Sequence, residues 1–229
     1  EMYNSSRIKT NINNIFINIK KYSPHPKKVC IIAVTKGFNC TAITEAVKCN
    51  INDIGENRVI EYKNKIKEID LKKTYEAHLI GRLQSNKINK AIHLFDIIQT
   101  IDSTTLAKKV NIQSIKVNKK QNIFVQINVG LDKKKQGFIN KNLLNNIEII
   151  NKLSNINICG VMTILPFLNK AEETQQHFHQ LKKIQSLIQM KITNRCKYSS
   201  MGMSRDYIYA LKEGATHIRL GTSIYGPRN

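Results

Sequence analysis

No stretch of the sequence approaches the ~18–20 uninterrupted apolar residues of a membrane span, and its first residues lack the apolar core of a signal peptide. A cytoplasmic protein without a membrane partner is therefore expected. Cys30, Cys40, Cys49, Cys159 and Cys196 make an odd, scattered set with no CxxC spacing. That excludes a disulfide framework and a thiolate metal site, and leaves reduced thiols and no bound metal. No GxGxxG follows the first apolar run, which weighs against a dinucleotide-binding open sheet. Internal repeats, low-complexity linkers and breaks in composition are lacking too, so residues 1–229 are expected to form one domain. Acidic side chains are scarce: 16 Asp and Glu stand against 37 Lys and Arg, for a formal charge of +21.

That imbalance invites a nucleic-acid hypothesis. However, 30 of the 37 basic residues are lysine, and Asn and Ile are abundant with it. The three rise together when an AT-rich genome sets the composition of tolerant surface positions. The lysines are spread along the chain, with only short runs such as Lys133-Lys134-Lys135, and no aromatics interleave with them as a base-stacking platform requires. The charge reads as surface composition, and no nucleic-acid partner is expected.

What is present is organised around Val29-Cys30-Ile31-Ile32-Ala33-Val34-Thr35-Lys36. A short apolar run without polar alternation reads as a strand buried on both faces, as parallel strands are. It ends in a lysine. Snorkelling to water is ordinary lysine behaviour, but an amine desolvated at the carboxyl end of a barrel strand can form a Schiff base.

Around this run, apolar strands alternate with helical segments. Ile8, Ile12, Ile15, Phe16 and Ile19 share one face of an N-terminal helix over 4–20, ended by the prolines at 24 and 26. Further strands are expected at 51–55, 75–80, 95–101, 123–129, 158–165, 196–199 and 216–220. Helices are expected between them, capped by Thr41 and by Asp102-Ser103. Eight strands alternating with helices predict an α/β fold, a single (β/α)8 TIM barrel with an extra N-terminal helix. An open doubly wound sheet is the alternative.

In a barrel, polar residues at the carboxyl ends of strands converge on one mouth: Lys36, Asn57, His78, Asn128, the segment 199–204, Arg219 and Gly221-Thr222. Barrels commonly build a phosphate site after strands seven and eight. There Ser200, Gly202, Ser204, Gly221 and Thr222 offer hydroxyls and close backbone approach, although such clusters also cap ordinary helices. Arg219 lies within a strand and needs a partner, because its charge is permanent. Glu56 is the nearest acid in the pattern, and a buried aromatic nitrogen would serve as acceptor instead. A lysine nucleophile, a phosphate cradle and an arginine together describe a pyridoxal 5′-phosphate (PLP) site. Asn57 and His78 would flank the ring; singly, they read as a helix cap and a core histidine.

The chain resembles the pyridoxal phosphate homeostasis proteins, barrels similar to the N-terminal domain of alanine racemase. The resemblance is carried by Ala33-Val-Thr-Lys36, Gly55-Glu-Asn57, His78-Leu-Ile-Gly-Arg-Leu-Gln-Ser-Asn-Lys87, Gln126-Ile-Asn128, Gly160-Val-Met162, Ser200-Met-Gly-Met-Ser204 and 217–226. It departs at Thr35, where serine is common, and at Arg58 and Arg82. The resemblance implies that Lys36 carries the cofactor and Arg219 faces its pyridine nitrogen. Ser200, Ser204, Gly221 and Thr222 would hold the phosphate, with Asn57 and Met162 packing around the ring.

Two functions compete. Racemization needs a base on each face of the cofactor–substrate adduct, and in alanine racemase the second comes from another domain, which these 229 residues are not expected to contain. Arginine at the pyridine nitrogen also weakens the ring as an electron sink. The expectation is a non-enzymatic, monomeric carrier or regulator of PLP, with PLP-dependent apoenzymes as its partners. An amino-acid racemase or other PLP-dependent enzyme is the alternative.

Overall fold

A computed structural model of the chain describes residues 5–69, 73–130, 136–139, 142–166 and 170–227. The run Lys133–Lys135 and the expected helix starts at Asn4 and Lys141 lie outside them. Eight parallel strands, β1 (Cys30–Val34), β2 (Asp53–Glu56), β3 (Glu76–Leu79), β4 (Ile97–Ile101), β5 (Gln121–Gln126), β6 (Ile156–Met162), β7 (Tyr198–Met203) and β8 (His217–Leu220), pair in sequence order. β8 closes on β1, with Ile32 opposite Arg219. The fold is the (β/α)8 barrel, not the open sheet.

The helices are α1 (Ser5–Tyr22), α2 (Thr41–Lys48), α3 (Val59–Lys65), α4 (Ile88–Leu94), α5 (Thr104–Lys116), α6 (Leu143–Asn151), α7 (Ala171–Lys191), α8 (Tyr207–Lys212) and α9 (Thr222–Tyr225). Helices α2 to α9 each follow a strand. The extra helix, α1, buries Ile8, Ile12, Ile15 and Ile19 and is tied to α8 and α9 by Asn18 Nδ2 to the Tyr207 hydroxyl (2.7 Å) and Asn11 Nδ2 to Ile224 O (2.9 Å). Phe16, expected on that face, is 47% exposed. It lies one position past the 4-3-4 spacing of the isoleucines and is turned about 100° from Ile15.

Two other expectations change. Thr41 is the first helical residue and not the cap; Asn39 Oδ1 accepts its N–H at 3.1 Å. Ser103 caps α5 as expected, accepting from the Leu106 N–H at 3.2 Å. β7 runs four residues beyond the expected end at Ser199. A register shift between Ser200 and Met203 and a positive φ of 93° at Gly202 mark a bulge there. A Cβ on Gly202 would stand 2.6 Å from that of Ala210 and 2.9 Å from Tyr207 Cα, so only glycine lets α8 approach.

At the amino end of the barrel, the His217 ring meets Tyr198 at 5.0 Å and Phe124 at 5.4 Å edge-on. Burial, helped by the neighbouring His78, pushes the His217 imidazole down to about 3. It therefore stays neutral in the fold, and protonation favours the unfolded chain. The folded value lies below the unfolded ~6.5, so this contribution to stability is complete above that pH and is lost as pH falls toward 3. Unfolding by urea should show His217 accounting for about 2 kcal/mol of lost stability between pH 7 and pH 5. His217→Gln should flatten the profile by that amount; an unchanged slope would show that the imidazole is not held neutral.

Candidate functional site

The carboxyl ends of the strands open on a cavity of about 650 Å³, within the range of small-molecule sites. Six of the nine predicted site residues line it. Lys36 stands two residues past β1, Asn57 just past β2 and Ser204 just past β7, with Arg219 in β8 and Gly221 and Thr222 directly after it.

The other three do not reach it. Met162 is fully buried inside the barrel with Ile97 and Phe124, because it ends β6 facing that apolar layer. Ser200 lies within β7, three residues short of its end, so its hydroxyl is spent inside the barrel on Gln99 and Arg219 and not on the rim. His78 is fully buried between Asp53 Oδ1 (2.9 Å) and Gln99 Nε2 (3.0 Å), nearer the amino end. Asn128 does not line the cavity either; its N–H donates to Phe138 O at 2.9 Å.

Arg219 is 3% exposed, and burial pushes its guanidinium down to about 10 while the Asp206 charge opposes the shift. Its Nη1 donates to Ser200 Oγ and its Nη2 to the carbonyl of Thr163, each at 2.7 Å. These bonds take two of its five N–H donors, while the guanidinium borders the cavity. Glu56 is not its partner.

Glu56 serves Lys36 instead. It is fully buried with Lys65, a helix lysine 6% exposed, in an ion pair. Burial draws the Glu56 carboxyl upward against the Lys65 ammonium and the Thr35 hydroxyl, both of which donate to Oε1. The same ammonium donates to the carbonyl of Thr35 at 2.9 Å. Glu61 Oε1 accepts from Lys65 Nζ at 3.3 Å and from the Gly37 N–H at 2.7 Å. The peptide units on both sides of Lys36 are thus gripped from α3, which fixes where its side chain leaves the backbone.

On the neighbouring side of the mouth, the Ser223 N–H donates to Ser204 Oγ at 3.2 Å, tying the loop after β7 to the one after β8. Asp206 Oδ1 accepts the Met203 N–H at 2.6 Å. Gly81 admits the backbone of Asn57: a Cβ there would lie 2.2 Å from Asn57 O. Thr174, Asp206 and Tyr209 also line the cavity and were not apparent from the sequence: Thr174 and Tyr209 come from helices whose other faces look alike, and Asp206 from the turn before α8. Gln99 had a signal: Gln99-Thr100 interrupts an otherwise apolar strand.

Lys65→Met leaves Glu56 buried without its cation and should destabilise the fold by about 3–5 kcal/mol in urea unfolding. The double variant Glu56→Gln/Lys65→Met should regain most of that. If Lys65→Met costs under about 1 kcal/mol, the value of an exposed pair, the ion pair does not hold this corner together.

The family described as "Alanine racemase, N-terminal domain" matches residues 5–229. A protein of Aquifex aeolicus named pyridoxal phosphate homeostasis protein is 33% identical over 201 residues, covering 86% of each chain. One of the same name from Synechocystis is 35% identical over 203 residues, covering 89% of this chain and 93% of its own. The structure of PipY from Synechococcus elongatus with PLP bound superposes with a TM-score of 0.85 at 32% identity, covering 96% of this chain and all of that one. An alanine racemase of Clostridium difficile shares the fold at 17% identity and a TM-score of 0.78, with 59% of its length covered. With a barrel of the same architecture and relatives above 30% identity along nearly its whole length, this chain belongs to the alanine racemase N-terminal domain family, among the pyridoxal phosphate homeostasis proteins.

Proposed function

We propose that the chain binds PLP in this cavity, through a Schiff base to Lys36, and acts in its homeostasis without being an efficient enzyme. The observation that carries the reading is that Lys36 and a buried arginine border one cavity, closed by Ser204, Gly221 and Thr222 from the loops after β7 and β8. The residues fit the group. Arg219 offers donors to a ring nitrogen and no proton that leaves readily. Hydroxyls and backbone N–H groups of the two joined loops suit a phosphate, and Asn57 stands beside the ring.

When bound, the cofactor supplies an aldehyde that condenses with the Lys36 amine, releasing water, and a pyridine ring able to withdraw electrons. Arg219, a permanent donor, keeps the ring nitrogen unprotonated and so makes a weak sink. The Lys65–Glu56–Glu61 grip aims Lys36 Nζ without touching the cofactor. Such a site retains and releases PLP better than it drives proton abstraction, which agrees with the names of the relatives. Hand-over to PLP-dependent apoenzymes, a monomeric state and a cytoplasmic place belong to the same reading. All five cysteines are free thiols, and no described helix is long and apolar enough to cross a membrane.

Borohydride reduction of the PLP-loaded protein followed by peptide mapping should place the pyridoxyl group on Lys36 alone; a label on Lys87 or another lysine overturns the assignment. Arg219→Glu should increase deuterium wash-in at Cα of a bound amino acid, since a carboxylate favours a protonated ring nitrogen. Racemization by the unmodified protein at enzyme-like rates, kcat on the order of 10 per second, would establish the racemase reading instead.

A further inference from the structure

Beneath Arg219 a line of hydrogen bonds crosses the barrel interior from one end to the other. Arg219 Nη1 donates to Ser200 Oγ at 2.7 Å, and Ser200 Oγ donates to Gln99 Oε1 at 2.7 Å. Gln99 Nε2 lies 3.0 Å from His78 Nδ1, and His78 Nε2 lies 2.9 Å from Asp53 Oδ1. The direction of every bond follows from its two ends. A guanidinium only donates, so Ser200 must pass its own proton onward, and the carbonyl end of Gln99 takes it. The amide nitrogen of Gln99 only donates, so His78 Nδ1 accepts. The ring then directs an Nε2 proton at a carboxylate, which only accepts. A cation thus stands at the donor end and an anion at the acceptor end, with no bond reversed between them.

We propose that Ser200, Gln99, His78 and Asp53 are positioning residues that hold Arg219 against the ring nitrogen of the cofactor, an inference that rests on the function proposed above. Barrel interiors are ordinarily filled by branched aliphatic side chains, and burying polar groups there is costly unless each finds a partner. Ser200, Gln99 and His78 are fully buried and satisfy one another. Asp53 begins β2 at the amino end of the barrel, the end opposite the cavity. Its burial raises the carboxyl, but the bonds from His78 and Cys30 and the two neighbouring imidazoles together outweigh this and hold it below the usual carboxylate value. Aligned bonds of this kind reinforce one another in a low dielectric and leave the guanidinium one orientation.

Asp53, Glu76 and His78 also bring ligand atoms within 4.8 Å of one another, as a cation site would. A cation on His78 Nε2 would displace that proton to Nδ1, directly against the Gln99 amide N–H. The bonded line fits the geometry and the cation does not.

The test uses Gln99→Met, which keeps volume and removes both amide groups, and Ser200→Ala, which removes only the hydroxyl under Arg219. Each loaded protein is compared with the unmodified one for PLP affinity and for the circular dichroism induced in the cofactor band. Affinity for the PLP analogue carrying C–H in place of the ring nitrogen is measured in parallel. Both variants should bind PLP about tenfold more weakly with a diminished dichroic band, while affinity for the carbon analogue stays unchanged. Unchanged PLP affinity, or an equal loss for both ligands, overturns the positioning role even though borohydride still labels Lys36. Absence of that label in the unmodified protein overturns the PLP reading and this inference with it.

Discussion

A guanidinium that keeps its charge is enclosed in the centre of a parallel barrel, and much of the interior answers to it. An isolated buried cation is prohibitive, so the side chain of Arg219 is given acceptors. The Thr163 carbonyl just past β6 and the Ser200 hydroxyl of β7 take its protons directly. The polar side chains of β2, β3 and β4 that continue downward would otherwise be expensive substitutes for valine or isoleucine. Apolar packing is displaced into a small inner cluster of Ile97, Phe124 and Met162 and, on a much larger scale, into the shell between strands and helices.

Lys36 is held by different physics. Rigidity is applied to the backbone around it. An ion pair on the outer side of the barrel does this by combining charge neutralisation with two peptide contacts. Removing one partner of such a pair is far worse than removing both, which makes it a demanding but specific anchor. The barrel therefore keeps two basic residues at one cavity by separate means: one locked by its side chain, the other by its main chain.

Much of this was legible in the sequence. Eight apolar segments alternating with helices announced the barrel, and Lys36, Ser204, Arg219, Gly221 and Thr222 were placed at its mouth by their positions at strand ends. Ser200, His78 and Met162 were misplaced because depth within a strand depends on register, and the bulge at Gly202 changes register by one residue in a way no local pattern reveals. Lys65 was invisible for a different reason. Among thirty lysines, nothing local distinguishes the one that turns inward, and only the closure of α3 over β1 and β2 brings it to Glu56. Gln99 could have been found, since a polar pair in an apolar strand asks what it bonds to.

The internal pairing of charge has a consequence for how such a chain can change over time. Fields from solvated surface groups fade within about 8 Å at physiological ionic strength, whereas Arg219 and Lys65 answer to partners of their own inside the protein. The exterior can accumulate positive charge to a total of +21 without retuning the cavity. Nucleotide composition is then free to rewrite the outside of the molecule residue by residue, while the cavity stays electrically insulated from the drift.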